Sequence, residues 1–97
     1  MSRRNTIMLT ALREMCAGKK ITALDYAKRF DTTRLGARIY DLRNLKENKH
    51  VFIMTNRCKD KYGEVYFEYY IHKLQRKNAR ELLKQLESNN RGRADRC

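Results

Sequence analysis

The chain has 97 residues, of which 23 are lysine or arginine and 11 are aspartate or glutamate, so its formal net charge is +12. A chain of this length holds one small domain, and no apolar run approaches the roughly 18 residues that a membrane-spanning helix needs. The charge favours a polyanionic partner, with nucleic acid ahead of an anionic membrane. Residues 1–72 carry a net +7 and residues 73–97 a net +5, so both parts contribute.

The cysteines and histidines predict neither a metal site nor a disulfide framework. Cys16, Cys58 and Cys97 are odd in number and far apart, and His50 and His72 complete no ligand spacing. Reduced thiols and the absence of an apolar N-terminal segment indicate a cytoplasmic protein. Since the sequence also lacks a glycine-rich phosphate loop, a nucleophile elbow and a paired-histidine motif, we expect no enzymatic activity and no cofactor.

Apolar residues at helical spacing predict a first helix over residues 5–17. Gly18 suits the left-handed position that ends a helix, and Ile21 is expected to pair briefly as an edge strand. The stripe consists of Met8, Leu9, Leu12, Met15 and Cys16.

A second helix is predicted to begin after Thr22, whose hydroxyl can accept a hydrogen bond from a free backbone N–H group. Residues 31–34 are polar and rich in capping residues, so this helix should end there. Its predicted buried positions are Ala23, Leu24, Ala27 and Phe30.

A third helix is predicted over about residues 33–46, with an apolar seam on one face. At about 100° per residue, Leu35, Ile39 and Leu42 form the seam, with Leu45 at its edge. The opposite face carries Thr33, Ala37, Tyr40, Asp41 and Asn44, while Arg34 and Arg38 lie on one flank and Arg43 on the other.

This distribution suits a helix that lies in a DNA major groove. Ala37 allows close approach, polar side chains can meet base edges, and guanidinium groups can reach phosphate or guanine. Arg38 has a second interpretation, in which it pairs with Asp25 or Asp41 and braces the helix pair. The alternative for the whole helix is an ordinary amphipathic helix with a solvated charged face.

Two runs of β-forming residues, 51–55 and 65–71, predict a hairpin joined by the polar, glycine-containing loop 56–64. By period two, Val65, Phe67, Tyr69 and Ile71 share the face that should be buried. The basic loop residues Arg57, Lys59 and Lys61 are placed to meet a phosphate backbone, or else they only keep a solvated turn soluble.

A fourth helix is predicted over residues 74–87, and residues 88–97 are expected to form a disordered basic tail. The helix either packs back on the domain or forms a homodimer with a second copy; the stripe is too short to distinguish the two. Its apolar positions are Leu74, Ala79, Leu82, Leu83 and Leu86.

Three helices followed by a hairpin is the element order of a winged helix-turn-helix domain, so the predicted fold is mainly α with a small β-hairpin plus a C-terminal helix. Residues 7–55 also resemble a small winged helix-turn-helix family of bacteriophages and prophages, most strongly over residues 34–43. Departures are the long, glycine-free segment 46–50, where that family usually has a glycine, and residues 73–97, which have no counterpart. The other matching residues are Ile7, Leu12, Gly18, Ile21, Thr22, Ala23, Ala27, Ile53 and Thr55.

The resemblance implies DNA binding by residues 1–73, and the predicted function is a sequence-specific double-stranded DNA-binding protein that regulates phage or prophage transcription. The third helix would read the major groove, while the wing and the basic tail would hold phosphates. The candidate DNA-binding residues are Thr32, Thr33, Arg34, Ala37, Arg38, Asp41, Arg43, Asn44, Arg57, Lys59 and Lys61.

Two other functions compete with this one. The protein could bind and inhibit an acidic host protein through its basic surface. It could also bind RNA, with Tyr66 and Tyr70 on an exposed sheet face stacking on unpaired bases.

Overall fold

A computed structural model describes residues 3–32, 34–48 and 51–95 of the chain. This part is a small mixed α/β domain with four α-helices and a three-stranded antiparallel sheet of order β1-β3-β2. The elements in chain order are α1 (Arg3–Cys16), β1 (Ile21–Thr22), α2 (Ala23–Phe30), α3 (Leu35–Arg43), β2 (Ile53–Lys59), β3 (Val65–Ile71), a short 3-10 helix (Lys73–Gln75) and α4 (Arg76–Asp95).

The helix α1 lies at the centre of the core and contacts α3, α4 and the sheet. Leu12 and Met15 are fully buried, as the helical spacing predicts. Gly18 follows the helix at φ +91°, where a residue with a Cβ would be strained, and an added Cβ would also lie 3.2 Å from the guanidinium carbon of Arg76. The predicted end of the helix is therefore confirmed, and a close contact with the start of α4 accounts for the glycine as well.

The start of α2 is confirmed, but its predicted buried face is partly wrong. The backbone N–H of Asp25 donates to the Thr22 hydroxyl over 3.2 Å. Leu24, expected inside, has 66% of its surface exposed, whereas Tyr26 is fully buried. Burial of Tyr26 is tolerated because its hydroxyl donates to Glu14, which satisfies the polar end of the ring.

Glu14 joins α1 to α2 through a partly buried hydrogen-bond cluster. Arg29 donates to its carboxylate over 2.8 Å, and Lys19 lies 3.9 Å away. Burial by itself raises the pKa of Glu14, but the hydrogen bonds from Arg29 and Tyr26, with the charges of Arg29 and Lys19, outweigh it and lower this pKa below 4.5. The cluster therefore favours the ionised carboxylate in the folded state.

The helix α3 is shorter than predicted, but its seam is confirmed: Leu35, Ile39 and Leu42 are fully buried. The predicted range of about 33–46 extends past the observed end at Arg43. Side-chain amides occupy two carbonyls of the last turn, because Asn44 donates to Tyr40 O and Asn48 to Leu42 O, each over 2.8 Å. The Tyr40 carbonyl also accepts the backbone N–H of Asn44, whereas the Asn48 bond satisfies a carbonyl that further helix would otherwise pair.

The hairpin is longer and its loop shorter than predicted. The register pairs Ile53 with Ile71 and Lys59 with Val65, so only residues 60–64 connect the strands. Residues opposite each other share a face. The inner face, which meets the core, consists of Ile53, Thr55, Arg57, Lys59, Val65, Phe67, Tyr69 and Ile71, and the outer face consists of Met54, Asn56, Cys58, Tyr66, Glu68 and Tyr70.

Burial of the inner face is confirmed only at one end of the hairpin. Ile53 and Ile71 are 6% and 1% exposed, whereas Val65 and Phe67 are 41% and 45% exposed. The strands extend beyond the helices, so the alternation continues where no core covers it. The prediction that Ile21 pairs as a short strand is confirmed, since β1 lies beside β3 with Ile21 opposite Tyr69.

The predicted bounds of the last helix need correction at both ends. Leu74, expected to be buried, is 79% exposed in the 3-10 helix, and α4 continues past residue 87 to Asp95, through most of the expected disordered tail. Serine and asparagine cost a helix only a few tenths of a kcal/mol each, glycine about 1 kcal/mol, and a helix that is already formed extends without a new nucleation step. Residues 96–97 of the tail lie outside the described residues.

Candidate nucleic-acid interface

The face of α3 opposite the seam is open to solvent. Gly36, Ala37, Tyr40 and Asn44 are exposed along it, and Arg34 is exposed at its N-terminal end. The two smallest side chains of the helix lie in its first turn, so another molecule can approach the backbone closely there. The pattern in the sequence placed this face correctly.

Tyr40 is a candidate that the predicted contact set omitted. It has 66% of its surface exposed, and the helical spacing already placed it on the open face. A phenol combines an apolar ring with a hydroxyl that can donate and accept, so Tyr40 can contact either a base edge or a sugar–phosphate backbone. Helical spacing could have identified it as a candidate, and its observed exposure now does so.

The turn before α3 uses one predicted contact residue for its own structure. The hydroxyl of Thr32 accepts a hydrogen bond from the backbone N–H of Arg34 over 3.1 Å. That bond fixes the backbone from which the exposed Arg34 side chain projects. Thr33, the third predicted residue of this turn, lies outside the described residues.

Arg38 is buried, and the structure favours its second interpretation. Only 9% of the residue is exposed, and its Nη2 lies 3.5 Å from the Oδ2 of Asp41, three residues along the helix. The guanidinium therefore braces α3 from inside and does not project from the open face. The spacing alone left both roles open because this position lies at the boundary between seam and flank.

Arg43 connects α3 to the hairpin. Its Nη2 donates to the carbonyl of Ile53 over 2.7 Å and to the hydroxyl of Thr55 over 2.8 Å. Sequence reasoning assigned this arginine to DNA and missed the bridging role, because the partners are 10 and 12 residues away. The bridge fixes the position of the hairpin relative to α3, while the rest of the side chain remains exposed.

The inner face of the hairpin also meets the first turn of α3. A Cβ added to Gly36 would lie 3.6 Å from the hydroxyl of Tyr69. Together with the Arg43 bridge to Thr55, this contact places the inner face of the hairpin against both ends of α3. The part of the inner face beyond these contacts continues on the same side of the sheet as α3.

The basic residues predicted for the wing lie partly on a strand. Arg57 and Lys59 belong to β2, opposite Phe67 and Val65 on the inner face, and only Lys61 lies in the loop. All three are exposed. Because the inner face is the one that meets α3, Arg57 and Lys59 lie on the side of the sheet that also bears the candidate reading helix.

The loop is ordered by its aspartate. The Oδ1 of Asp60 accepts hydrogen bonds from the backbone N–H groups of Tyr62 and Glu64 over 2.8 and 2.9 Å, and the backbone pairs of residues 60 and 63–64 close the turn. Lys61 lies 5.0 Å from the ring of Tyr62. The carboxylate of Asp60 thus serves the backbone, and its negative charge is held within the turn.

The outer face of the hairpin carries no helix. Tyr66 is 40% exposed and Met54 43% exposed, and Lys20 lies 5.6 Å from the ring of Tyr70. Burial, and then the neighbouring Glu68, raise the pKa of Cys58 above 9.0, so this thiol is not an activated nucleophile. The face offers two tyrosines for stacking, as the RNA hypothesis requires, but few basic groups around them.

The apolar stripe of α4 packs within the domain. Ala79, Leu82 and Leu86 are buried, and α4 packs on α1. A homodimer through the same stripe would have to separate these contacts first. The opposite side of α4 exposes Lys77, Arg80 and Lys84, which form no ion pair among the described residues.

The described residues contain no group of three or more histidine, cysteine, aspartate or glutamate side chains arranged to hold a metal ion. Of the helices within residues 3–32, 34–48 and 51–95, none is sufficiently long and apolar to cross a membrane. His72 uses its Nδ1 to accept from the backbone N–H of Leu74 over 3.2 Å, while His50 lies outside the described residues.

Comparison of the chain with protein-family models, with curated proteins and with solved structures found no match.

Proposed function

We propose that this protein is a winged helix-turn-helix protein that binds double-stranded DNA sequence-specifically and regulates phage or prophage transcription. In this proposal α2 and α3 form the helix-turn-helix, α3 enters the major groove, and the β2–β3 hairpin is the wing. The basic residues of the wing and of residues 88–97 hold phosphates, which position a protein on DNA without reading sequence.

One observation carries the proposal: an open, small-residue face of α3 is joined to a basic hairpin by a fixed bridge. Arg43 holds Ile53 and Thr55 at the end of α3, and beyond this bridge Arg57 and Lys59 are exposed on the same side of the sheet as α3. A helix that reads bases and an arm that binds phosphate must keep a fixed separation, because base contacts require a defined register on the duplex.

The charge distribution supports a nucleic-acid partner over a chance accumulation of lysine. Among the described residues, Arg34, Arg57, Lys59 and Lys61 form no ion pair, whereas Arg29 and Arg38 are paired with carboxylates. The unpaired cations thus include those around α3 and the hairpin, where neutralising them would release counterions from DNA.

The test compares labelled duplex DNA, single-stranded DNA and RNA at about 50 and 200 mM salt. With six or more phosphate contacts, duplex affinity should fall on the order of a thousandfold between these concentrations. Tightest binding to RNA would favour the stacking face of Tyr66 and Tyr70. Weak, salt-insensitive binding to every nucleic acid would favour an acidic host protein as the partner.

Sequence preference is tested separately, by recovering the genomic DNA fragments that co-purify with the protein. Enrichment of one site near its own gene would support a regulator. Uniform recovery of fragments would contradict sequence specificity while leaving duplex binding intact.

A further inference from the structure

Asp41 is the one acidic residue of α3, and it lies beside the open face. Its side chain is 33% exposed, and its Oδ2 is buried 3.5 Å from the Nη2 of Arg38. Since Oδ2 is buried, the acceptor atom that solvent or a ligand can reach is Oδ1. The buried arginine thus holds one oxygen of the carboxylate and leaves the other available.

This pair is incompletely satisfied in the free protein. At 3.5 Å the contact is an ion pair without a hydrogen bond, and both the Oδ2 of Asp41 and the Nε of Arg38 are buried without a hydrogen-bond partner. A buried polar atom without a partner costs free energy. A well-packed apolar pair would avoid that cost, so the stability of the free protein does not account for a carboxylate at this position.

A carboxylate at this position also opposes non-specific binding to DNA. It faces the same molecule whose phosphates the +12 charge attracts, and like charges repel at close range. Within the major groove, however, a carboxylate has a favourable partner, because the exocyclic N4 amine of cytosine donates a hydrogen bond to Asp or Glu. Repulsion from phosphate combined with attraction to one base edge gives discrimination.

We propose that Asp41 reads a cytosine in the bound site, through an N4–H donor and the Oδ1 acceptor, and that Arg38 is the positioning residue that orients this carboxylate. The proposal rests on the proposed function, since it names a base for the helix assigned to the major groove. Replacing the cytosine–guanine pair at that position should weaken binding roughly 5- to 150-fold, the usual cost of one mismatched base pair in a specific site.

The experiment selects binding sites from a random duplex library with the wild-type protein, with Asp41→Asn and with Glu81→Gln. The last variant is the matched control: it removes one negative charge from an exposed residue of α4 that has no ion pair among the described residues. We expect the wild-type and Glu81→Gln proteins to select a position dominated by cytosine. In Asp41→Asn we expect the preference at that position to shift from cytosine towards adenine, whose N6 and N7 match the asparagine amide, while preferences elsewhere in the site are kept.

Arg38 is tested by a double-mutant cycle on the selected site and on the site with that base pair replaced. Arg38→Met should lower the ratio of the two affinities, and adding Asp41→Asn should lower it no further, because the arginine acts through the carboxylate. A purely structural arginine would lower affinity for both sites equally. If Arg38→Met does not fold, the Asp41→Asn selection still decides the proposal.

The outcomes separate this inference from the function on which it depends. If the wild-type protein selects a site with no position dominated by cytosine, or if Asp41→Asn selects the same bases as the wild-type protein at every position, the reading role of Asp41 is rejected and DNA recognition stands. If the wild-type protein selects no site from the duplex library, both the reading role and the proposed function are rejected.

Discussion

The two ends of the β2–β3 hairpin follow the same alternation but have opposite environments. At the base, Ile53 and Ile71 are 6% and 1% exposed, whereas near the tip Val65 and Phe67, on the same face, are 41% and 45% exposed. Period two identifies which side chains share a face, but the extent of the helices decides where that face is buried. The base therefore belongs to the core, and the tip is available for contact with another molecule.

The two ends of the hairpin should differ most in how much stability is lost when an apolar side chain is truncated. Ile71→Ala should lower the free energy of unfolding by about 2–5 kcal/mol, because it leaves a cavity in the core. Phe67→Ala should lower it by no more than about 1 kcal/mol, since nearly half of that side chain is already in solvent. Urea unfolding measures both, and equal losses would show that the tip is packed as firmly as the base.

The next effect concerns the bridge between the base and α3. Arg43→Ala should cost about 1–3 kcal/mol, because it removes two hydrogen bonds and leaves the Ile53 carbonyl without its partner. Arg57→Ala, at the tip, is the control and should change stability by less than about 0.5 kcal/mol. Hydrogen exchange of β2 should accelerate in the Arg43 variant alone; unchanged exchange would mean that the strand is held by other contacts.

A smaller effect should appear in the pH dependence of stability, at the Glu14 cluster that joins α1 to α2 in the core. The pKa of Glu14 is lowered in the folded state, so its contribution is present above its unfolded pKa of about 4.3 and is lost as the pH falls through the folded value. Glu14→Gln should therefore destabilise the protein at pH 7 by about 1–2 kcal/mol and flatten the acid limb of the stability curve. Unfolding midpoints measured from pH 7 to pH 3 test this, and parallel curves for both proteins would contradict it.

Removing the basic residues of the hairpin should have the smallest effect on stability and a large effect on DNA binding. Replacing Arg57, Lys59 and Lys61 together by alanine should leave the melting temperature nearly unchanged and weaken binding to selected and random duplex by similar factors. The α4 variant with alanine at Lys77, Arg80 and Lys84 removes the same charge and serves as the control. Equal losses of affinity in the two triple variants would mean that charge alone, and not the wing, determines binding.

Much of the fold could be predicted because it follows local rules. The seam of α3, the cap at Thr22, the end of α1 at Gly18 and the pairing of the hairpin all depend on spacing or on a single residue's conformational preference. The burial of Tyr26 in place of Leu24 on the inner face of α2 could not be predicted, because burial of the tyrosine depends on Glu14, twelve residues away. The predicted end of α4 at residue 87 was wrong for a different reason: weak helix formers do not end a helix without a cap.

The candidate site could be predicted only as a surface. Spacing placed Ala37 and Asn44 on the open face and Arg34 on its flank, but the roles of Arg38 and Arg43 depend on contacts with Asp41 and with β2. The role of an arginine is hard to predict from its position on a helix, because its long side chain can extend into solvent or bridge to another element from the same position. DNA binding itself and the role of the basic tail stay predictions.

The most direct test of the central claim is the ratio of affinities for the selected site and for random duplex, measured for folded Arg34→Ala against wild type. Arg34 is exposed at the N-terminal end of α3, the part of a recognition helix that usually reaches base edges. We expect this ratio to fall roughly 5- to 150-fold, while Lys28→Ala, which removes an exposed lysine of α2, leaves it unchanged. A ratio for Arg34→Ala equal to that of wild type would contradict the assignment of α3 as the helix that reads DNA.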